Sequence, residues 1–303
     1  MLRAGSESGT ETDRKTGMSG PIDTAREGGM QHRVRPEARG KRKMTTQAAR
    51  QETFFYPLQA ALELVGLLLQ RGRRGAPSTW SLRMTMVAVL VPFVILAVHP
   101  WDGDVVRMAG QSTNIFMVIL RHSTNLAAAQ VWLALSILVW LATAFMLAPS
   151  GAGSTRRKMP DALLRWHGWA TFMIVAIVAG SIPVEIGKHL VGRARPPLLD
   201  QLGAAYFAPF HGGFLYESFP SGHAMTAGIV TVALWIFLPR WRIAAIVVPV
   251  LFCLSRLAAN AHFPTDVIGG FAIGFIVAWW VARYMATRNI IFFMDNKSAF
   301  PSA

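Results

Sequence analysis

Residues 126–148 read LAAAQVWLALSILVWLATAFMLA, a run of 23 positions without a charged side chain. A helix that crosses the hydrocarbon core of a bilayer needs about 20 such residues. The whole chain fits this interpretation, because only 15% of its 303 residues are charged, whereas a soluble domain averages about a quarter. The sequence therefore predicts an all-α integral membrane protein.

Five further apolar runs accompany this one, at 84–100, 167–186, 224–239, 241–258 and 266–284. The runs 224–239 and 241–258 are short, and the segment Pro239-Arg-Trp-Arg242 separates them. A single helix through both would place two arginines in mid-membrane, at about 2.5–3.5 kcal/mol each on insertion scales. We therefore predict a turn there and six transmembrane helices packed in a bundle.

The N-terminal part of the chain has a different composition. Residues 1–52 are rich in Gly, Ser, Thr, Arg and Glu, which predicts a disordered basic arm because such a segment buries too little apolar surface to offset its ordering entropy. Residues 53–83 are predicted to form an interfacial amphipathic segment, since the apolar stretch 58–70 is too short to span. The six-span domain then covers 84–286, and a short cytoplasmic tail covers 287–303.

The basic residues are unevenly placed, and this asymmetry predicts the orientation. The net charge is +14, but half of the 30 Lys and Arg residues lie before residue 84 and many others lie in loops, a distribution that favours a membrane over nucleic acid as partner. The loop 149–166 is basic, whereas 101–125 is nearly balanced. The positive-inside rule then places both termini in the cytoplasm and the segments 187–223 and 259–265 outside, as expected for a bacterial inner membrane protein.

Three polar patches fall on this outward side. In the first, Lys188 and Arg195 are seven residues apart, which predicts one shared helix face, and Pro196 would end that helix. A basic flank at the end of a span is the alternative for this patch alone. In the second, Ser221 and Gly222 suit the start of a helix, where free backbone N–H groups attract an anion.

The second patch continues to His223, and the third contains Arg256, His262 and Asp266. Arg256 is near the end of an apolar run, where a cation is costly unless it binds an anion. Asp266 follows His262 by four residues, so its carboxylate can hold one ring nitrogen and leave the other as a base or nucleophile. For these two patches, a helix cap with an interfacial histidine is the alternative.

Taken together, the patches predict one kind of chemistry. Three cations and the N–H groups of a helix start suit the oxygens of a phosphoryl group, which carry negative charge throughout its transfer. Two histidines provide a nucleophile and an acid. The residues therefore indicate cleavage of a phosphate ester.

The same patches resemble the signature of the type 2 phosphatidic acid phosphatase superfamily. That signature is Lys, six residues, Arg-Pro; then Pro-Ser-Gly-His; then Ser-Arg, five residues, His, three residues, Asp, and every fixed position is present between Lys188 and Asp266. The resemblance implies that His262 attacks phosphorus with Asp266 orienting it, and that His223 protonates the leaving group. It implies no metal and no other cofactor. The phosphate-binding residues that it implies are Lys188, Arg195, Arg256, Ser221 and Gly222.

From the resemblance we expect a membrane phosphatase that hydrolyses lipid phosphate monoesters or pyrophosphates at the outer membrane face through a phosphohistidine. Two alternatives stay open, a phosphotransferase that moves the phosphoryl group to an acceptor lipid, and a catalytically silent membrane scaffold or transporter. The expected partners are a phosphorylated lipid and the membrane. The identity of the lipid and the oligomeric state are left open, and Arg193, between two of the site residues, is assigned to packing or loop geometry.

Overall fold

A computed structural model describes residues 46–148, 160–294 and 300–302, with side chains from Tyr56 onward. The predicted disorder of the arm before residue 46 and the basic cluster at 156–158 lie outside these ranges. Within them the chain forms ten α-helices: α1 Thr46–Leu69, α2 Leu82–Val98, α3 Asp102–Gln111, α4 Ile115–Ser123, α5 Ala129–Leu147, α6 Asp161–Val191, α7 Leu199–Leu202, α8 Gly222–Phe237, α9 Ala244–Ala258 and α10 Pro264–Ala286.

The all-α fold class is confirmed, and the six predicted runs correspond to α2, α5, α6, α8, α9 and α10. Four stretches of the described chain are long and apolar enough to cross a membrane, namely Leu82–Gln111, α5, α6 and α10. The helices α8 and α9 have 16 and 15 residues, fewer than the roughly 20 that a crossing takes. The count of six crossings therefore stays a prediction, as does the interfacial position of α1, which begins inside the range predicted as an arm.

The outer helices present apolar side chains to their surroundings. On α2, Leu90, Phe93 and Leu96 are exposed, and Leu138 is exposed on α5. Apolar surface on this scale is unusual for a protein in water, whereas a lipid environment solvates it without penalty. This surface and the four long helices indicate an integral membrane protein.

The centre of the bundle depends on close contact between α8 and α10. A Cβ atom at Gly274 would lie 1.9 Å from the carbonyl oxygen of Met225, and one at Gly228 would lie 2.3 Å from that of Phe271. Small residues of this kind let membrane helices approach each other and gain packing contacts. As a result the start of α8 lies beside the start of α10, and the backbone N–H of Ser221 donates to the carbonyl oxygen of Asp266 at 3.0 Å.

The predicted turn between α8 and α9 is present as a 3-10 turn at Pro239–Trp241. The prediction that one helix continues to Pro196 was wrong, because α6 ends at Val191. Gly192 follows with φ 58°, and a side chain there would meet the carbonyl oxygen of Ala208. Arg195 therefore has extended backbone geometry and reaches the site from a loop, not from the helix face of Lys188.

Candidate active site

A cavity of about 180 Å³ opens where α6 ends and where α8 begins. Six of the eight predicted site residues line it, which are Lys188, Arg195, Gly222, His223, Arg256 and His262. Asp266 is buried behind His262, and Ser221 is buried beneath Gly222. The side chain of Ser221 accepts from the N–H of Ala224 at 3.4 Å and caps α8, so its oxygen supports the helix start.

Arg256 is a buried cation that lines the cavity. Its Nη1 donates to Oγ1 of Thr124, while its Nε has no hydrogen-bond partner among the described residues. A buried donor without a partner costs about 1–3 kcal/mol, and more for a charged group. Because Arg256 lines the cavity, its guanidinium places a positive charge beside any anion bound there.

Arg195 is held rigidly by backbone carbonyls of the loops around it. Its Nε donates to Phe214 at 2.7 Å, its Nη2 to Glu217 at 3.1 Å, and its Nη1 to Ala261 at 3.2 Å. Its guanidinium lies 3.9 Å from the centroid of the Phe214 ring. Burial lowers the pKa of Arg195, and the carboxylates of Asp266 and Glu217 oppose that effect. The result is a fixed positive charge on the cavity wall.

Lys188 faces the same cavity from the last turns of α6. Its Nζ donates to Oε1 of Glu185 at 2.7 Å, in a pair three residues apart on one helix. An ammonium group has three donors, so Lys188 keeps donors for a ligand while it contacts Glu185.

His262 is almost fully buried, and its Nδ1 lies 2.8 Å from the carbonyl oxygen of Ser218. A carbonyl oxygen can only accept, so Nδ1 carries the proton and Nε2 keeps its lone pair. Burial lowers the pKa of His262 to about 4, although Asp266 opposes the shift. The ring is therefore neutral near pH 7, as a nucleophile must be.

Asp266 does not contact the His262 ring in the manner expected. Its Oδ2 lies 3.8 Å from Nδ1, beyond hydrogen-bond distance. That oxygen instead accepts from Oγ of Ser218 at 2.5 Å and from the N–H of Phe263 at 2.8 Å, and Oδ1 accepts from Arg193 at 2.6 Å. Asp266 thus holds the Ser218 segment, whose carbonyl oxygen in turn orients the ring.

Several site residues were not predicted from the sequence. Ser218 and Thr124 contact the site histidine and Arg256, and Gln130 lines the cavity. Nothing in the sequence around these residues predicts a place in the site, because the residues that they contact lie on other helices or loops. Arg193 had a signal, an arginine beside the first patch, but its burial between carboxylates follows only from the fold. Among the described residues no group of three His, Cys, Asp or Glu side chains could hold a metal ion.

Comparison with known proteins finds similarity over the stretch of sequence that contains the three patches. Residues 169–290 match the model of the PAP2 superfamily, which confirms the resemblance seen in the sequence. The lipid A 1-phosphatase of Rhizobium johnstonii is 35% identical over 127 residues, or 42% of this chain and 50% of that protein. The undecaprenyl-diphosphatase of Sulfolobus acidocaldarius is 32% identical over 124 residues, or 39% of this chain and 53% of that protein.

The chain thus spans about half the length of the curated relatives it matches. A crystal structure of a transmembrane PAP2 type phosphatidylglycerolphosphate phosphatase from Bacillus subtilis is also similar. It has 24% sequence identity and a TM-score of 0.39, and the similarity covers 65% of this chain and 93% of that one.

Proposed function

Because residues 169–290 match the PAP2 superfamily model, we propose that this chain is a membrane phosphatase. It hydrolyses lipid phosphate monoesters or pyrophosphates through a phosphohistidine on His262. The observation that carries the proposal is the cavity itself, which is lined by Lys188, Arg195 and Arg256 together with His262. The three cations attract a phosphate anion, and the neutral His262 ring can attack its phosphorus atom.

In this mechanism Nε2 of His262 forms a bond to phosphorus while the bond from phosphorus to the lipid oxygen breaks. His223, which the negative charge of the bound phosphate keeps protonated, donates a proton to the leaving oxygen, a role worth about 10²–10⁴-fold for a general acid. Water then attacks the phosphohistidine, His223 takes the proton from that water, and inorganic phosphate leaves. Lys188, Arg195 and Arg256 stabilise the charge on the phosphoryl oxygens in both steps.

The position of the cavity supports a lipid as the substrate. It lies at the ends of α6 and α9 and the starts of α8 and α10, so a headgroup enters there while its apolar tail stays beside the helices. The names of the two relatives, lipid A 1-phosphatase and undecaprenyl-diphosphatase, fit phosphate carried on a large apolar anchor. We assign the cavity to the outer face from the charge asymmetry of the loops.

Phosphate release from lipid phosphates tests the proposal. Purified protein in detergent with EDTA is expected to release phosphate from at least one of lipid A, undecaprenyl diphosphate, phosphatidylglycerol phosphate and phosphatidate. His262→Ala is expected to lose activity by about a thousandfold or more, because no other group replaces the nucleophile.

The matched control is His122→Ala, which removes an exposed histidine on α4 whose Nδ1 lies 2.9 Å from the carbonyl oxygen of Val118 on the same helix, and it should keep full activity. Full activity in His262→Ala would contradict the assignment of the nucleophile. Transfer of the phosphoryl group to an acceptor lipid, without free phosphate, would identify a phosphotransferase instead.

A further inference from the structure

Behind the cavity, Arg193 lies between two carboxylates. Its Nη2 donates to Oδ2 of Asp102 at 2.7 Å, and its Nη1 donates to Oδ1 of Asp266 at 2.6 Å. Arg193 is 2% exposed, and both aspartates are 0% exposed. Burying three charges is costly unless each is fully paired, and such groups are often no more stabilising than apolar side chains of the same size. Stability alone is therefore a weak reason for this arrangement.

Asp102 and Thr265 extend the contact to the start of α10. The Oγ1 of Thr265 donates to Oδ2 of Asp102 at 2.5 Å and accepts from Nη1 of Arg193 at 2.6 Å. The N–H of Thr265 donates to Oδ1 of Asp102 at 3.0 Å. Nδ1 of His99 lies 3.1 Å from Oδ2 of Asp102. Asp102 begins α3 and lies outside the stretch that matches the family model, yet it holds the residue next to Asp266.

The charges of this group bear on His262. Two carboxylates share one guanidinium, so Asp102, Arg193 and Asp266 together carry a net charge of −1 close to the His262 ring, whose Nδ1 lies 3.8 Å from Oδ2 of Asp266. When Nε2 bonds to phosphorus, the ring becomes cationic, and a fixed negative charge nearby stabilises that state. Without Asp102, Arg193 would neutralise Asp266 and this stabilisation would be lost.

We propose that Asp102 is a positioning residue for the reaction, which acts through Arg193 to keep the Asp266 carboxylate oriented and uncompensated beside His262. The inference rests on the proposed function for its link to turnover. The underlying claim, that Asp102 controls the nucleophilicity of His262, can be measured without any substrate. It therefore stands or falls separately from the phosphatase proposal.

The test replaces Asp102 by Asn, which keeps its size and its accepting oxygen and removes its charge. Two quantities are measured on monodisperse protein in detergent: kcat and KM for phosphate release, and the rate at which diethyl pyrocarbonate modifies His262, followed by mass spectrometry. We expect Asp102→Asn to lower kcat and the His262 modification rate by about tenfold or more, the size of loss that removing the outer partner of a metal-binding histidine causes. KM should change little.

The matched control is Asp104→Asn, which removes the same charge from an exposed position on the same helix and should leave both rates unchanged. A purely structural lesion would loosen the packing and make the buried His262 react faster with the reagent, the opposite of the expected change. An unchanged or increased modification rate in Asp102→Asn would overturn the inference.

The double variant Asp102→Asn with Arg193→Gln is the sharper comparison. It removes one negative and one positive charge, so Asp266 regains the net charge of −1 that the wild-type group has. We expect both rates to recover to within about threefold of wild type, since a restored charge balance restores most of the interaction. If Asp102→Asn alone does not fold, this variant is measured in its place, and a loss of tenfold or more in the His262 modification rate contradicts the inference.

The two proposals can fail independently. If the wild-type protein releases no phosphate from any lipid phosphate but the modification rates follow the pattern above, the phosphatase proposal fails and the role of Asp102 stands. If phosphate is released and the double variant is slower than Asp102→Asn in both assays, the phosphatase proposal stands and the role of Asp102 is wrong.

Discussion

At the scale of single residues, His262 shows how a bundle sets the chemistry of an imidazole. Its ring is enclosed by the start of α10 and the segment before α8, and the Ser218 carbonyl oxygen fixes the proton on Nδ1. Burial disfavours the charged form of the ring more than the nearby Asp266 favours it, so the pKa falls. The same enclosure thus supplies both the tautomer and the neutral state that nucleophilic attack requires.

The lowered pKa of His262 predicts a pH dependence that can be measured directly. Because the pKa is about 4, the neutral ring predominates at any pH well above that value. The rate of His262 modification by diethyl pyrocarbonate should then stay constant from pH 7 to about 5.5, whereas N-acetylhistidine, with an ordinary pKa of about 6.5, loses most of its reactivity over that range. A His262 rate that falls in parallel with N-acetylhistidine would contradict the shift.

The sequence predicted the residues of the site better than their contacts. The spacing within each patch identified Lys188, Arg256 and His262 as candidate site residues, because such spacing is visible in a short stretch of sequence. The partner of His262, Ser218, is 44 residues away in the chain, and the partner of Thr265, Asp102, is 163 residues away. Such contacts depend on how helices pack, and a single sequence does not reveal that packing.

At the scale of elements, run length and hydropathy predicted the helices well, because the membrane imposes both. Their ends were harder to predict. The break after Val191 depends on the positive φ of Gly192 and on the close approach of Ala208. The approach of Ala208 is a tertiary contact, so the sequence suggested Pro196 as the end of the helix instead. This break changes how the site is built. Arg195 comes from a loop, and it donates there to the carbonyl oxygens of Phe214 and Glu217.

The contact between α8 and α10 predicts an effect of Gly274→Ala. The added Cβ would lie 1.9 Å from the Met225 carbonyl oxygen, so the helices must separate, and overpacking of this kind costs about 1–3 kcal/mol. We expect a lower melting temperature in detergent and reduced phosphate release, because the starts of α8 and α10 carry His223 and Asp266. The melting temperature, followed by tryptophan fluorescence, measures the first effect.

Gly66→Ala is the matched control for that variant. It makes the same substitution in α1, where a new Cβ would meet nothing within 4 Å. It should leave the melting temperature unchanged or raise it slightly, because Ala favours helix more than Gly does. Equal melting temperatures for Gly274→Ala and wild type would show that the two helices tolerate separation.

At the scale of the whole molecule, the cavity and the basic turn lie at opposite ends of α8. The helix begins at Gly222 beside the cavity and ends at Phe237, just before the turn that carries Arg240. A helix of 16 residues spans about 24 Å at 1.5 Å per residue. The basic turn and the cavity therefore lie at opposite ends of the same helix.

This arrangement leads to a prediction for the orientation in the membrane. Replacing Cys253 by Ser removes the only cysteine, and a single new cysteine can then be placed at Gln201 or at Arg240, which are both exposed at opposite ends of the bundle. Because Lys and Arg are retained on the cytoplasmic side, a membrane-impermeant maleimide should label Gln201→Cys in intact cells. It should label Arg240→Cys only after the cells are permeabilised. Labelling in the reverse order would place the cavity in the cytoplasm and would contradict release of phosphate at the outer face.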